Sequence, residues 1–311
     1  MSNPPVIDTR LGELADLEGT WEGEGFNMLA VPDPQAGPLR YRIIAQKFKE
    51  TLKFNRITEL APKDGVPNRR LDLIQFVSAL EYTQHVVDES GAAIHHENGL
   101  WLMLDDTVSP SRIARQSSIP HGNSLLAPGD TFVFAGTPQI DQICVLPSTS
   151  KDKIAAKVKS GMSLEDACAE VVKEEECGYL EPYAKADAEF KKQGVDYFLN
   201  PNKLLTDHNQ NLNITSTSVY RLDTKKETGG VVNIPFFKPP QPGDSKQQID
   251  NAITCPALSS TFWVNTVKNP DGSEHKELQY TQDTTIEFFQ AGPNGLIVWP
   301  HIDVANLKKV D

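Results

Sequence analysis

The sequence has few cysteines, no long apolar run and no excess of basic residues. Its four cysteines, Cys144, Cys168, Cys177 and Cys255, show no CxxC pair or other metal-ligand spacing, so we expect structural thiols and no cysteine-based zinc site. No apolar run is long enough to span a bilayer. There are 30 Lys and Arg residues against 42 Asp and Glu residues, a formal charge of −12. This balance disfavours nucleic acid and anionic membrane surfaces as partners.

Signals for export and for familiar hydrolase chemistry are also missing. The N-terminus lacks a basic segment followed by an apolar core, which predicts a cytoplasmic protein. There is no GxSxG elbow, no HExxH motif and no glycine-rich phosphate loop, so a hydrolase has no positive support. With 311 residues, of which 39% are hydrophobic and 23% are charged, the chain has the composition of a globular protein with a substantial core.

Strand patterns cover much of the chain. The clearest lies at residues 278–289, where apolar residues alternate with polar ones and only Gln282 interrupts the apolar face. Residues 41–57 show a similar pattern, interrupted by Gln46 and Glu50, and another long run follows the next turn-rich segment. A period of two indicates strands with one buried face. Long antiparallel runs with no helices between them predict the wall of a barrel.

The segment LADLEGTWEGEGFNM, at residues 14–28, has glycines at alternate positions. Trp21, Gly23 and Gly25 share one face of the predicted strand. Glycines spaced in this way let a neighbouring backbone or a bulky ligand come close, or they relieve a sharply coiled strand. Both interpretations point to a barrel, and barrel closure alone is the simpler one.

The period of two is lost at residues 151–193, which have a helical pattern. Ser163 and Asp166 resemble a capping box, and Gly178 stands where the longest helix would end. We therefore expect a single barrel domain over residues 1–311 with a helical insertion at residues 151–200. The insertion is compatible with a solvated face, a lid or a subunit contact. A Pro/Gly-rich loop is predicted at residues 235–256.

Histidines are the candidate site residues. His301 lies in GLIVWPHIDVANLKK, just after the clearest strand, and an imidazole directed to the apolar side suits a haem iron. His121 stands between a proline and a glycine, where it either faces a pocket opposite His301 or caps a turn. The adjacent His95 and His96 would point to opposite faces of a strand and cannot share one ion, so we expect them at a solvated loop end.

Three short motifs resemble those of a known family. LADLEGTWEGEG near the start, HENGLW in the middle and WPHIDVANLKK at the end resemble, in that order, the landmarks of the nitrobindin-like haem-binding β-barrels, which are relatives of the fatty-acid-binding proteins and lipocalins. The residues that carry the resemblance are Gly19, Thr20, Trp21, Gly23, Gly25, Pro300, His301 and Leu307. The chain departs from the family in its greater length, its helical insertion and its proline-rich loop.

The resemblance implies a mainly β protein, an antiparallel up-and-down barrel of about ten strands that binds haem b with His301 as the iron ligand. The further cofactor-binding candidates are Trp21, Thr20, Gly23, Trp299 and His121, with core packing as the alternative for the tryptophans. The implied function is binding of nitric oxide, peroxynitrite or peroxide, with peroxynitrite isomerase or peroxidase-like chemistry if the protein is an enzyme. The competing hypothesis is a metal-free carrier of fatty acid or another apolar molecule. A homodimer is compatible with both.

Overall fold

The structure, a computed structural model, describes residues 9–37, 39–57, 66–69, 74–104, 111–120, 122–226, 228–233, 253–290 and 295–311. Within these residues the strands are β1 (Gly19–Pro32), β2 (Tyr41–Arg56), β3 (Val66–Arg69), β4 (Ile74–Asp88), β5 (Ala93–Met103), β6 (Ile113–Ile119), β7 (Asn123–Ala135), β8 (Ile214–Asp223), β9 (Gly230–Asn233), β10 (Thr254–Lys268), β11 (Glu274–Gln290) and β12 (Leu296–Lys309). The helices are α1 (Lys151–Lys159), α2 (Leu164–Glu174), α3 (Glu181–Lys192) and α4 (Lys203–Asn209).

Ten of these strands form one closed antiparallel barrel. Each pairs with the next in the order β1, β2, β4, β5, β6, β7, β8, β10, β11 and β12, and β12 pairs back onto β1. The short strands β3 and β9 pair with β4 and β7. The prediction of an up-and-down barrel of about ten strands with a helical insertion is confirmed.

The alternate glycines of β1 allow β12 to approach closely. A Cβ atom at Gly23 would lie 2.2 Å from the carbonyl oxygen of Asn306, and one at Gly25 would lie 2.3 Å from that of Val304. Both distances are far below van der Waals contact, so only glycine fits at these positions. The close approach is thus made by the backbone of the neighbouring strand.

The barrel has a lower end that its own side chains fill. We call this end lower because the N-terminal 3-10 helix, Thr9–Asp16, packs across it and inserts leucines into the core. The buried side chains there include Leu14, Leu17, Trp21, Phe54, Leu80, Trp101, Ile113, Phe262, Leu278 and Leu307. Because large aromatic groups occupy this end, space for a ligand must lie nearer the opposite, upper end.

The helices pack against the outer face of the barrel and form a second core. Ser163 caps α2 by accepting a hydrogen bond from the backbone N–H of Asp166 at 3.0 Å, as the capping pattern predicts. The buried stripe of α2 belongs to the same core as apolar side chains of the barrel, including Phe26 and Val304. None of the described helices is long and apolar enough to cross a membrane.

Two of the four cysteines are joined. Cys144 and Cys168 form a disulfide that ties the segment before α1 to the buried face of α2. The expectation of thiols is therefore wrong for this pair, whereas Cys177 and Cys255 are not part of a disulfide. The predicted Pro/Gly-rich loop falls mostly on residues 234–252, which lie outside the described residues.

Candidate functional site

The upper half of the barrel encloses a cavity of about 520 Å³. Volumes of roughly 300–1,000 Å³ are typical of small-molecule sites, so the cavity is large enough for an organic ligand. Most of its wall is apolar and comes from the inward faces of the strands. The apolar wall includes Leu29, Val31, Ile44, Phe48, Val86, Ile94, Ile119, Leu125, Leu258 and Ile286.

Polar side chains form a layer between this apolar wall and the filled lower end. We call the layer the polar floor; it consists of Asn27, Glu50, Gln84, His95, Glu97, Arg115, Tyr280, Gln282, His301 and Asp303. Along each strand these residues occupy inward positions that come between wall residues and lower-core residues. A ligand in the cavity would therefore have hydrocarbon around its body and hydrogen-bonding groups at one end.

His301 and its neighbours make the first cluster of the floor. Asn27 and Asp303 are direct partners in the β1–β12 register, and the Asn27 amide donates to the Asp303 carboxylate at 2.5 Å. Nε2 of His301 lies 2.7 Å from Nδ2 of Asn27 and 3.4 Å from Oδ2 of Asp303. Burial alone would lower the pKa of His301, but the carboxylates of Asp303 and Asp283 outweigh it and raise that pKa above its ordinary value.

Glu50 centres the second cluster. Its carboxyl group is buried and accepts hydrogen bonds from the Tyr280 hydroxyl at 2.7 Å and from the Gln84 amide at 2.8 Å. Burial raises the pKa of Glu50 to about 7, although both hydrogen bonds act in the opposite direction. This carboxyl group therefore changes charge close to neutral pH.

The third cluster is a buried ion pair. Nη2 of Arg115 donates to Glu97 at 2.5 Å, and Tyr82 donates its hydroxyl hydrogen to the same carboxylate. Burial would raise the pKa of Glu97, but the charge of Arg115 holds it well below its usual range. Arg115 also donates to the side-chain oxygen of Gln282 at 2.8 Å. Gln282 lines the cavity, so within the floor the ion pair fixes a cavity-lining amide from below.

Comparisons with known proteins do not assign this chain to a family. No protein-family model matches the chain. A search of curated proteins also returns no match. Among solved structures, the crystal structure of Rv2717c from M. tuberculosis aligns over 100% of both chains with 14% sequence identity and a TM-score of 0.41. The barrel assignment rests on the strand pairings of this chain, and any function must be argued from its cavity.

The structure separates the predicted site residues. His301 lines the cavity. Trp21 is buried in the lower core, where its indole N–H donates to the Leu17 carbonyl at 2.7 Å. Trp299 is buried in the outer core and stacks on Phe288 with ring centroids 4.6 Å apart. Neither tryptophan is among the residues that line the cavity.

The remaining candidates lie elsewhere. Thr20 is at the lower end of β1, where its backbone N–H donates to Asp311 at 2.9 Å. Gly23 faces the backbone of β12. His121 lies outside the described residues.

His95 is a cavity residue that the sequence interpretation missed. It belongs to β5 and lines the cavity, with Nε2 3.3 Å from Glu97, whereas His96 is exposed on the other face. The prediction that both histidines lie at a solvated loop end is therefore wrong. The period of two could have predicted the inward position of His95. His95, Glu97 and the buried Trp101 follow one another at spacings of two and four residues and therefore share one face of β5.

Proposed function

We propose that this protein binds a small molecule with a largely apolar body inside the barrel, without a metal. One observation carries the proposal: an apolar cavity of about 520 Å³ ends on a polar floor. Burying apolar ligand surface supplies the affinity, and a few fixed polar groups orient the ligand. This is the arrangement of a carrier or a sensor of an apolar compound.

Haem is the second candidate, because His301 lines the cavity. Iron ligation needs a neutral imidazole with an available nitrogen lone pair. Here Nε2 of His301 lies within hydrogen-bonding distance of Asn27 and beside Asp303, and the nearby carboxylates favour the protonated ring. As placed, Nε2 of His301 already has protein partners, so this nitrogen suits a hydrogen-bonding role better than iron ligation. Bound haem would supply chemistry toward nitric oxide, peroxynitrite or peroxide.

Hemin titration distinguishes the two candidates. We would add hemin to wild type, to His301→Ala and to His96→Ala, an exposed-histidine control on β5, and record visible spectra. In parallel, a fluorescent fatty-chain probe would be added and then displaced with an unlabelled alkyl compound. We expect saturable probe binding and no hemin spectrum that depends on His301. A Soret band that forms in wild type and in His96→Ala, but shifts or disappears in His301→Ala, would replace our proposal with the haem function.

A further inference from the structure

We propose that the polar floor selects ligands whose buried end is polar but uncharged, such as an alcohol, an amide or a ketone, and discriminates against carboxylates. This inference rests on the proposed function, since it concerns the polar end of a molecule bound in the same cavity. A carrier of fatty acids would instead need an unpaired cation placed for the carboxylate head group.

The first step is the charge balance of the floor. The floor has three side chains that can carry positive charge, Arg115, His301 and His95, and each already has a carboxylate beside it, which for His95 is Glu97 at 3.3 Å. Arg115 is paired with Glu97 at 2.5 Å, with both side chains at most 2% exposed. His301 lies 3.4 Å from Asp303. A ligand carboxylate would therefore find positive charge that is already neutralised, and burying an ion without a counter-ion is costly.

The second step is the presence of additional acidic groups. Glu50 lies behind Gln84 and Tyr280, and both of these line the cavity. Asp283 is half-buried and interacts electrostatically with His301. These groups make the surroundings of the floor neutral to negative, so an anionic head group would also be repelled.

The third step is the supply of neutral hydrogen-bonding groups. The amides of Gln84 and Gln282 and the hydroxyl of Tyr280 line the cavity. The Gln84 amide nitrogen and the Tyr280 hydroxyl donate to Glu50, which leaves their oxygens as acceptors, whereas the Gln282 oxygen accepts from Arg115, which leaves its amide N–H groups as donors. Ser117 and Ser260 are at most 5% exposed, and their hydroxyl oxygens have no hydrogen-bond partner among the described residues. Each lies two residues below a cavity-lining residue on the same strand face. A neutral head group, directly or through water, matches such a surface.

The test compares ligands that differ only at the polar end. Dodecanol, dodecanamide and dodecanoic acid would each be titrated into the full-length wild-type protein at about pH 8, where the free acid is ionised, with calorimetry as the readout. We expect the alcohol and the amide to bind at least roughly tenfold more tightly than the acid, because only the acid must be buried as an uncompensated ion. Equal or tighter binding of the acid would overturn this inference and leave the proposed function standing. Failure of all three to bind would overturn both.

A variant tests the cause. Asp303→Asn removes the carboxylate beside His301 with little change in shape, so a ligand carboxylate can take its place as the partner of the imidazole. We expect the affinity of dodecanoic acid relative to dodecanol to rise by roughly tenfold. Glu22→Gln, an exposed position on β1, removes the same charge outside the cavity and should leave the ratio unchanged. An unchanged ratio in a folded Asp303→Asn protein would contradict the charge-balance argument.

Discussion

Single polar residues inside the barrel wall have titration properties that follow from their burial. Glu50 is 3% exposed and lies among neutral hydrogen-bond donors. Its charged form loses hydration that the two hydrogen bonds and the nearby His95 do not fully replace. The folded protein therefore holds a proton on Glu50 at pH values where the unfolded chain has lost it.

Replacing Glu50 should change how stability depends on pH. The pKa of Glu50 rises from 4.5 to about 7 on folding. The contribution of Glu50 to the stability of the fold is therefore fully present below pH 4.5 and is lost as the pH rises through 7. The shift corresponds to about 3 kcal/mol. The unfolding free energy of wild type should fall by about this amount between acidic and mildly alkaline pH because of Glu50. The unfolding free energy of Glu50→Gln should lack this fall. Urea denaturation at several pH values measures this difference, and a difference that does not vary with pH would contradict it.

The same residues show why the floor was hard to predict from sequence. Gln46, Glu50 and Gln282 each break an apolar strand face, and locally they look like interruptions of a buried surface. In the barrel, Glu50 of β2 and Gln282 of β11 each meet polar groups of other strands: Glu50 accepts from Tyr280 of β11, and Gln282 accepts from Arg115 of β6. Alignment in space depends on the register between strands, which the local pattern does not contain.

At the scale of elements, the pairing of β1 with β12 closes the barrel. This contact joins strands from opposite ends of the chain, with Trp21 opposite Lys309 and Met28 opposite Ile302. The glycine pattern predicted β1 as a strand, but no strand was predicted for β12, so the sequence could not reveal this pairing. The barrel itself was expected from the glycine spacing and the long strand runs, and then from the family resemblance. The helical insertion was easier to predict from the sequence, since its cap and its buried stripe are local features.

Adding one methyl group at the seam, where β1 pairs with β12, should destabilise the fold. In Gly23→Ala the new Cβ would lie 2.2 Å from the Asn306 carbonyl oxygen, so the backbones must move apart at a cost of about 1–3 kcal/mol. Gly230→Ala is the matched control, because a Cβ there meets no atom within 4 Å among the described residues. Thermal and urea unfolding of both variants tests this prediction, and equal stabilities would show that the seam tolerates a side chain.

The disulfide of the helical region gives a second prediction at this scale. Thiol titration of the denatured protein without reductant should detect two thiols, those of Cys177 and Cys255, and should detect four after reduction. Replacing Cys144 and Cys168 with alanine should lower the unfolding free energy by about 2–4 kcal/mol, because the cross-link restricts the unfolded chain. Four thiols before reduction would contradict the bridge. Disulfides are rare in the reducing cytosol, so the bridge weighs against the cytoplasmic location expected from the sequence.

For the molecule as a whole, the central feature is that one half of the barrel is filled and the other is hollow. Aromatic residues such as Trp21, Trp101 and Phe262 occupy the lower half, whereas aliphatic side chains surround the cavity above the floor. Whether a barrel is filled depends on the summed volumes of side chains from many strands, and no single segment reports that sum. The sequence therefore predicted a barrel without locating its cavity.

The most direct test of the account is uptake of the neutral dye N-phenylnaphthylamine by wild type and by a variant with a blocked cavity. Ile44→Trp places a large side chain in the cavity wall, and Lys47→Trp adds the same group at an exposed position of β2. We predict saturable binding of one dye per chain by wild type and by Lys47→Trp, and at least about tenfold weaker binding by a folded Ile44→Trp. The absence of dye uptake by wild type, or equal uptake by all three proteins, would contradict a ligand site inside the barrel.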